Sequence, residues 1–176
     1  MPALIASVLG GAGSAVAGRL RALLADRGVT LAAGGAPAAE ACVLVLNIVE
    51  IPADAEAGDD FADRVCACVT PAFEGMRTAM TLLRPAGGCV VNLVVGRTSD
   101  RGDGFLPSAI RGGIANLTRS VALHAGKSGY AIRVNSLYLA PGSALEAAAD
   151  AIGWLSGADA GFVTGIELVI GPGDAK

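Results

Sequence analysis

Strand-length apolar runs alternate with segments of helical periodicity along this chain, and that alternation limits the fold more than any other feature. Residues 3–9 are apolar and end in glycines. Residues 15–26 put Val16, Leu20, Leu23 and Leu24 on one helical face, with Gly28 as the stop. Residues 29–33 read as a short second strand, and 41–48 as a strand buried on both sides. Residues 59–83 carry Val65, Val69, Met76, Met80 and Leu83 at helical spacing, with Pro71 expected to kink the helix or end its first part. Another buried strand is expected at 88–95. A helix follows over 108–125, with Ile110, Ile114, Leu117 and Val121 on one side. A strand at 131–139, a helix at 144–155 and a last strand at 162–170 complete the pattern. Strands separated by helices of this length pair in parallel, and a parallel sheet needs helices on both faces. The expected fold is α/β, a doubly wound parallel sheet of about six strands in one domain, residues 1–176. The alanine- and glycine-rich stretch 32–39 reads as a loop.

Composition narrows the function classes. Apolar residues make up 53% and charged residues 16%, with mean hydropathy +0.57, which excludes a disordered chain. No uninterrupted apolar run reaches the 18 or so residues of a membrane span, so no membrane role is expected. The 13 Lys and Arg are dispersed and the net charge is −3, so nucleic-acid binding is not expected either. Met1 to Ala6 lacks the basic start of a secretory signal, which points to a cytoplasmic location. Cys42, Cys66, Cys68 and Cys89 sit in apolar contexts and read as reduced thiols. Cys66 and Cys68 with a single histidine, His124, make no metal site. His124 ends a helix, where a cation complements the dipole. A chain this apolar and short is expected to bury surface in a partner.

Specific motifs carry a resemblance. They are Cys89-Val90-Val91-Asn92-Leu93, the run from Arg111-Gly112-Gly113 to Val121-Ala122-Leu123, Ile132-Arg133-Val134-Asn135, and Ala140-Pro141-Gly142. Residues 149–156 followed by Val163-Thr164-Gly165, and Leu23 to Gly28 near the front, also fit. In this order they resemble the short-chain dehydrogenase/reductase (SDR) family over nearly the whole chain, most strongly its beta-ketoacyl reductase-like members. The resemblance implies a Rossmann sheet that binds NAD(P), a Tyr that exchanges a proton, a Lys that lowers its pKa, a Ser that holds the substrate oxygen and an Asn that supports a water relay.

The matching positions here hold other residues. Pro107 stands for the Tyr and Arg111 for the Lys, Val94 or Val95 for the Ser, and Val69 for the Asn. None of the first, third and fourth can exchange a proton, and general acid–base work needs such a group within hydrogen-bond reach. In the cofactor loop the early glycines Gly10, Gly11 and Gly13 remain as a turn, while Ala15 and Ala17 replace the glycines that open the first helix. Those glycines permit close approach of the pyrophosphate and close helix–strand packing. Ala33-Gly34-Gly35 offers neither an acid for a ribose nor an Arg for a 2′-phosphate, and Asn47 is followed by Ile48-Val49. The family's third strand has no room between 33 and 41, and the substrate lid is missing after Gly142.

What survives are the family's association elements: helices 59–83 and 108–125, which pair as a four-helix bundle in SDRs, and the C-terminal strand. In the second helix Ile114 and Leu117 are expected to face the sheet, and Arg111, Ala115, Thr118 and Ala122 to face outward. The leading expectation is a non-catalytic subunit. It would assemble with a catalytic SDR partner in a heteromeric NAD(P)-dependent oxidoreductase or ketoreductase, hold no cofactor itself, and leave NAD(P) to the partner. One alternative is a repurposed cyclase or isomerase built on Asp100, Asp103, Arg111 and Tyr138. Another is a divergent NAD(P)-dependent reductase.

Overall fold

The computed structural model describes residues 4–9, 14–31, 42–52, 60–96 and 104–172. Along the chain these form β1 (Leu4–Leu9), α1 (Ala15–Ala25), β2 (Val29–Leu31), β3 (Cys42–Glu50), α2 (Phe61–Leu83), β4 (Gly88–Val95) and α3 (Phe105–Lys127). β5 (Ile132–Leu139), α4 (Leu145–Ser156), a 3₁₀ turn (Ala158–Ala160) and β6 (Glu167–Ile170) follow. All strand pairs are parallel, in the order β2-β1-β3-β4-β5-β6. A doubly wound nucleotide-binding sheet starts 3-2-1-4-5-6. Among the described residues this sheet follows that order without a strand outside β2, so β2 is its edge there, and it carries one further strand, β6, at the other side. Residues 32–41, where a third strand would start, lie outside the described residues. Residues 140–144 alone join β5 to α4, so no lid is inserted there.

Alternation along each buried strand sends side chains to two different layers. Leu44, Leu46 and Ile48 of β3 and Val91, Leu93 and Val95 of β4 face α1 and α4. Val45 and Val90 face the C-terminal halves of α2 and α3, together with Met76, Met80 and Ala125. Val49 and Val94 face the opposite ends of the same helices, with Ala72, Leu106, Ile110 and Ile114. Between these last two clusters the strands place Asn47 beside Asn92, and Asn92 beside Ser136. The Asn47 amide donates to Ala72 O at 2.9 Å and to Asn92 Oδ1 at 3.2 Å, and the Asn92 amide donates to Thr118 Oγ1 at 2.9 Å. A one-residue slip of β3 against β4 would bury these amides without partners, so the polar row fixes register.

Several elements differ from the sequence reading. α2 is helical through Pro71, whose missing N–H would have bonded the carbonyl of Ala67. Both residues are exposed, so that carbonyl lies on the solvent side of the helix, open to water. α3 begins at Phe105, and Pro107 is its third residue, where an N–H has no intrahelical acceptor and a proline ring is tolerated. Ala115, Thr118 and Ala122 do not face outward: they are 6%, 0% and 8% exposed. α3 is buried over a wide arc because Thr118 reaches the Asn92 amide on one side and Ala122 packs near Gly165 on the other. The last strand starts at Glu167 rather than near 162. Before it, side chains replace ladder bonds: Asn135 donates to Val163 O at 3.0 Å, and Thr164 Oγ1 accepts from Val134 N at 3.0 Å.

Candidate functional site

In doubly wound sheets ligands bind at the carboxyl ends of the strands, at the point where strand order reverses. Here that point lies between β1 and β3, and the start of α3 flanks it. The residues that the sequence reading set at the SDR catalytic positions lie here among hydrocarbon. Val94 lies beside Tyr138 in the β4–β5 register, and both sit in the closed cluster with Val49, Ile51, Leu106 and Ile110. Val95 points to the other layer, so Val94 is the residue that meets α3. Val69 packs half-buried against the same cluster. Pro107, in the first turn of α3, is half-buried.

Arg111 and Tyr138 are brought together. The Arg111 guanidinium lies 4.3 Å from the centroid of the Tyr138 ring. It also makes a two-pronged ion pair with Glu167 of β6: Nε donates at 2.9 Å and Nη2 at 2.8 Å. The Arg111 side chain is 33% exposed and that of Glu167 17%. Glu167 therefore orients the guanidinium over the ring face, a cation–π geometry that desolvation strengthens. Tyr138 is 5% exposed, and its hydroxyl passes directly over Gly96, where a Cβ would sit 2.7 Å from it. Gly96 thus leaves the space that the phenol occupies. Asp100 and Asp103 lie outside the described residues.

At the dinucleotide end, Gly10, Gly11 and Gly13 also lie outside the described residues. Ser14 caps α1, its hydroxyl accepting from Ala17 N at 3.1 Å. That takes up one of the N–H groups with which a helix start greets a phosphate. The Ala17 methyl is buried in the core at 2% exposure, filling the close helix–sheet contact that a glycine would leave open. The described part of this turn thus differs from a helix start opened by glycines.

Burial pushes the Cys89 thiol up to about 11, and its S–H donates to Leu155 O at 3.4 Å. Burial also raises Cys68. No three His, Cys, Asp or Glu side chains among the described residues are grouped to hold a metal ion. No described helix is long and apolar enough to cross a membrane.

No protein-family model matches the chain. Over 106 residues it is 31% identical to 3-beta-hydroxysteroid dehydrogenase from Comamonas testosteroni, a match covering 54% of this chain and 39% of that enzyme. Its structure superposes on acetoin dehydrogenase from Enterobacter cloacae with a TM-score of 0.68 at 15% identity, over 97% of this chain and 96% of that one. A protein described as a short-chain dehydrogenase/reductase from Burkholderia xenovorans gives 0.68 at 16% identity, with the same coverage. The fold is that of the short-chain dehydrogenases/reductases. Within the SDR fold two features of this chain escape sequence reasoning. Glu167, the partner of Arg111, has no motif around it, and only the β5–β6 register reveals the pairing. The Asn47–Asn92–Thr118 row left a faint signal, since an asparagine inside an otherwise apolar strand needs a buried partner.

Proposed function

We propose that this chain is a non-catalytic SDR-like subunit that assembles with a catalytic SDR in a heteromeric NAD(P)-dependent oxidoreductase or ketoreductase. The observation that carries the reading is the apolar closure of the reaction position. Val94, Leu106, Ile110 and the Tyr138 ring fill the space beside α3, and the helix turn that would present a phenol starts with Phe105-Leu106-Pro107. The Ser14 cap and the buried Ala17 methyl support a chain that leaves the dinucleotide to its partner. The outward faces of α2 and α3, with the strand β6, are the surfaces offered for assembly. Exposed Phe73 on α2, Leu123 on α3 and Val169 on β6 are in keeping with that role.

A second reading draws on the Arg111–Tyr138 contact. A guanidinium held beside a phenol on the neighbouring strand is a displaced acid with an electrostatic partner, as a repurposed cyclase or isomerase would need. A divergent reductase stands as the third. One set of measurements separates them: the chain is purified alone and with a co-encoded SDR, titrated with NAD(P)H by fluorescence, and assayed for hydride transfer. The subunit reading expects a complex with the SDR and no titration below millimolar concentration. Binding by the lone chain tighter than about 100 μM, or about −5.5 kcal/mol, overturns it in favour of the reductase. Turnover without a dinucleotide, lost in Arg111→Ala, overturns it in favour of the second reading.

A further inference from the structure

The formal net charge of the chain is −3, yet α3 carries Arg111, Arg119 and Lys127 and not one carboxylate. Glu167 pairs with Arg111, but Arg119 and Lys127 have no ion pair among the described residues. Arg119, Leu123 and Lys127 recur every four residues, so they form one outward stripe on the helix. Leu123 is 60% exposed at its centre. The two cations stand about 12 Å apart along the axis, and the Asn116 side-chain oxygen accepts from Arg119 Nη1 at 2.9 Å, which orients it.

The stripe borders a hollow of about 500 Å³ between α3 and the segment Thr164–Gly165. Ala122, Gly126 and Gly165 line it with little or no side chain, and nothing stands within 4 Å of where a Cβ on Gly126 would be. Phe162, two residues before Thr164, is 86% exposed. An exposed leucine beside an open hollow, with a cation on either side of it along the helix, has the make-up of an anchor site with a polar rim.

We infer that this hollow docks a helix of a different chain, one bearing an apolar side chain with a carboxylate four residues before it and another four residues after. The inference rests on the subunit reading and specifies the chemistry of its partner. Charge selects that occupant over a second copy. A symmetric dimer presents the same patch to itself. An antiparallel α3 pair centred on Leu123 sets each Arg119 against the other copy's Lys127, and α3 has no acid to relieve them. Like charges face to face suppress the wrong partner, while opposite charges speed and orient the right one. Two cations flanking hydrocarbon also suit carboxylates on a protein better than a phosphate backbone, whose binding draws on many more cations.

The chain itself supplies the probe. The double variant Arg119→Glu/Lys127→Glu turns the stripe into the acidic pattern required of the partner. Wild type, variant and their equimolar mixture are compared by sedimentation and native mass spectrometry at 50 and 500 mM salt (Debye lengths of about 14 and about 4 Å). The mixed pair is expected to be at least about tenfold tighter than either self-pair at low salt, to lose about tenfold at high salt, and to vanish when Leu123→Asp is added. Far-UV circular dichroism checks folding. Arg119→Glu alone, exposed and mid-helix, carries the same prediction at smaller amplitude if the double variant misfolds. A mixed pair no tighter than the self-pairs, or one indifferent to salt, overturns the inference. Hydride transfer by the lone chain would sink the subunit reading instead, and would leave the mixing result intact.

Discussion

Replacing Arg111 tests whether this half-buried cation serves the fold. Arg111→Ala removes both prongs of the Glu167 pair and the cover of the Tyr138 ring. Exposed ion pairs contribute about 0.2–1 kcal/mol, whereas stranding one partner of a fully buried pair costs about 3–5 kcal/mol. With side chains 33% and 17% exposed, this pair lies between those limits, and solvent screening discounts the upper one. The loss is set at about 1.5–2.5 kcal/mol for the stranded Glu167, plus about 0.5–1 kcal/mol for the cation–π contact. For a domain of this size each kcal/mol moves Tm by about 2–4 °C, so Arg111→Ala should lower Tm by about 4–14 °C. Arg111→Lys keeps the charge but not the fork and should lose about half as much. The decisive assay is a double-mutant cycle of Arg111→Ala and Glu167→Ala by urea unfolding at pH 7. A coupling of about 1–2 kcal/mol is expected. A coupling below about 0.3 kcal/mol, the scatter of independent sites, would refute the claim that Glu167 holds the guanidinium in place.

Two further outcomes follow from the core. A Cβ on Gly75 would lie 2.8 Å from Asn47 Oδ1 in the middle of the polar row. Gly75→Ala should therefore destabilise by about 1–2 kcal/mol in urea unfolding, although Ala is by itself the better helix former by about 1 kcal/mol; a stabilised variant would show that the row yields freely. Thiol reactivity should follow exposure. Timed alkylation at pH 8 with peptide mapping should label exposed Cys66 first, Cys68 more slowly, and Cys89 only on unfolding. With a thiol near 11, about one Cys89 in a thousand is thiolate at that pH, and early Cys89 labelling would contradict its burial.

The sequence by itself determined the class of fold, the alternation of elements and the length of β4, because helix and strand periodicity are local and a strand buried on both faces must be apolar throughout. It also carried the SDR resemblance. The tertiary structure decided what local patterns do not encode. Pro71 stays within α2 because its lost hydrogen bond faces water. Ala115, Thr118 and Ala122 turn inward because Asn92 and Gly165 approach α3 from two sides. Arg111 meets Glu167, 56 residues away, only because β6 pairs with β5. Periodicity states which faces of an element are apolar. Which neighbour covers each face, and which charge meets which, depends on strand order and register, and these are set by contacts between residues far apart in the chain.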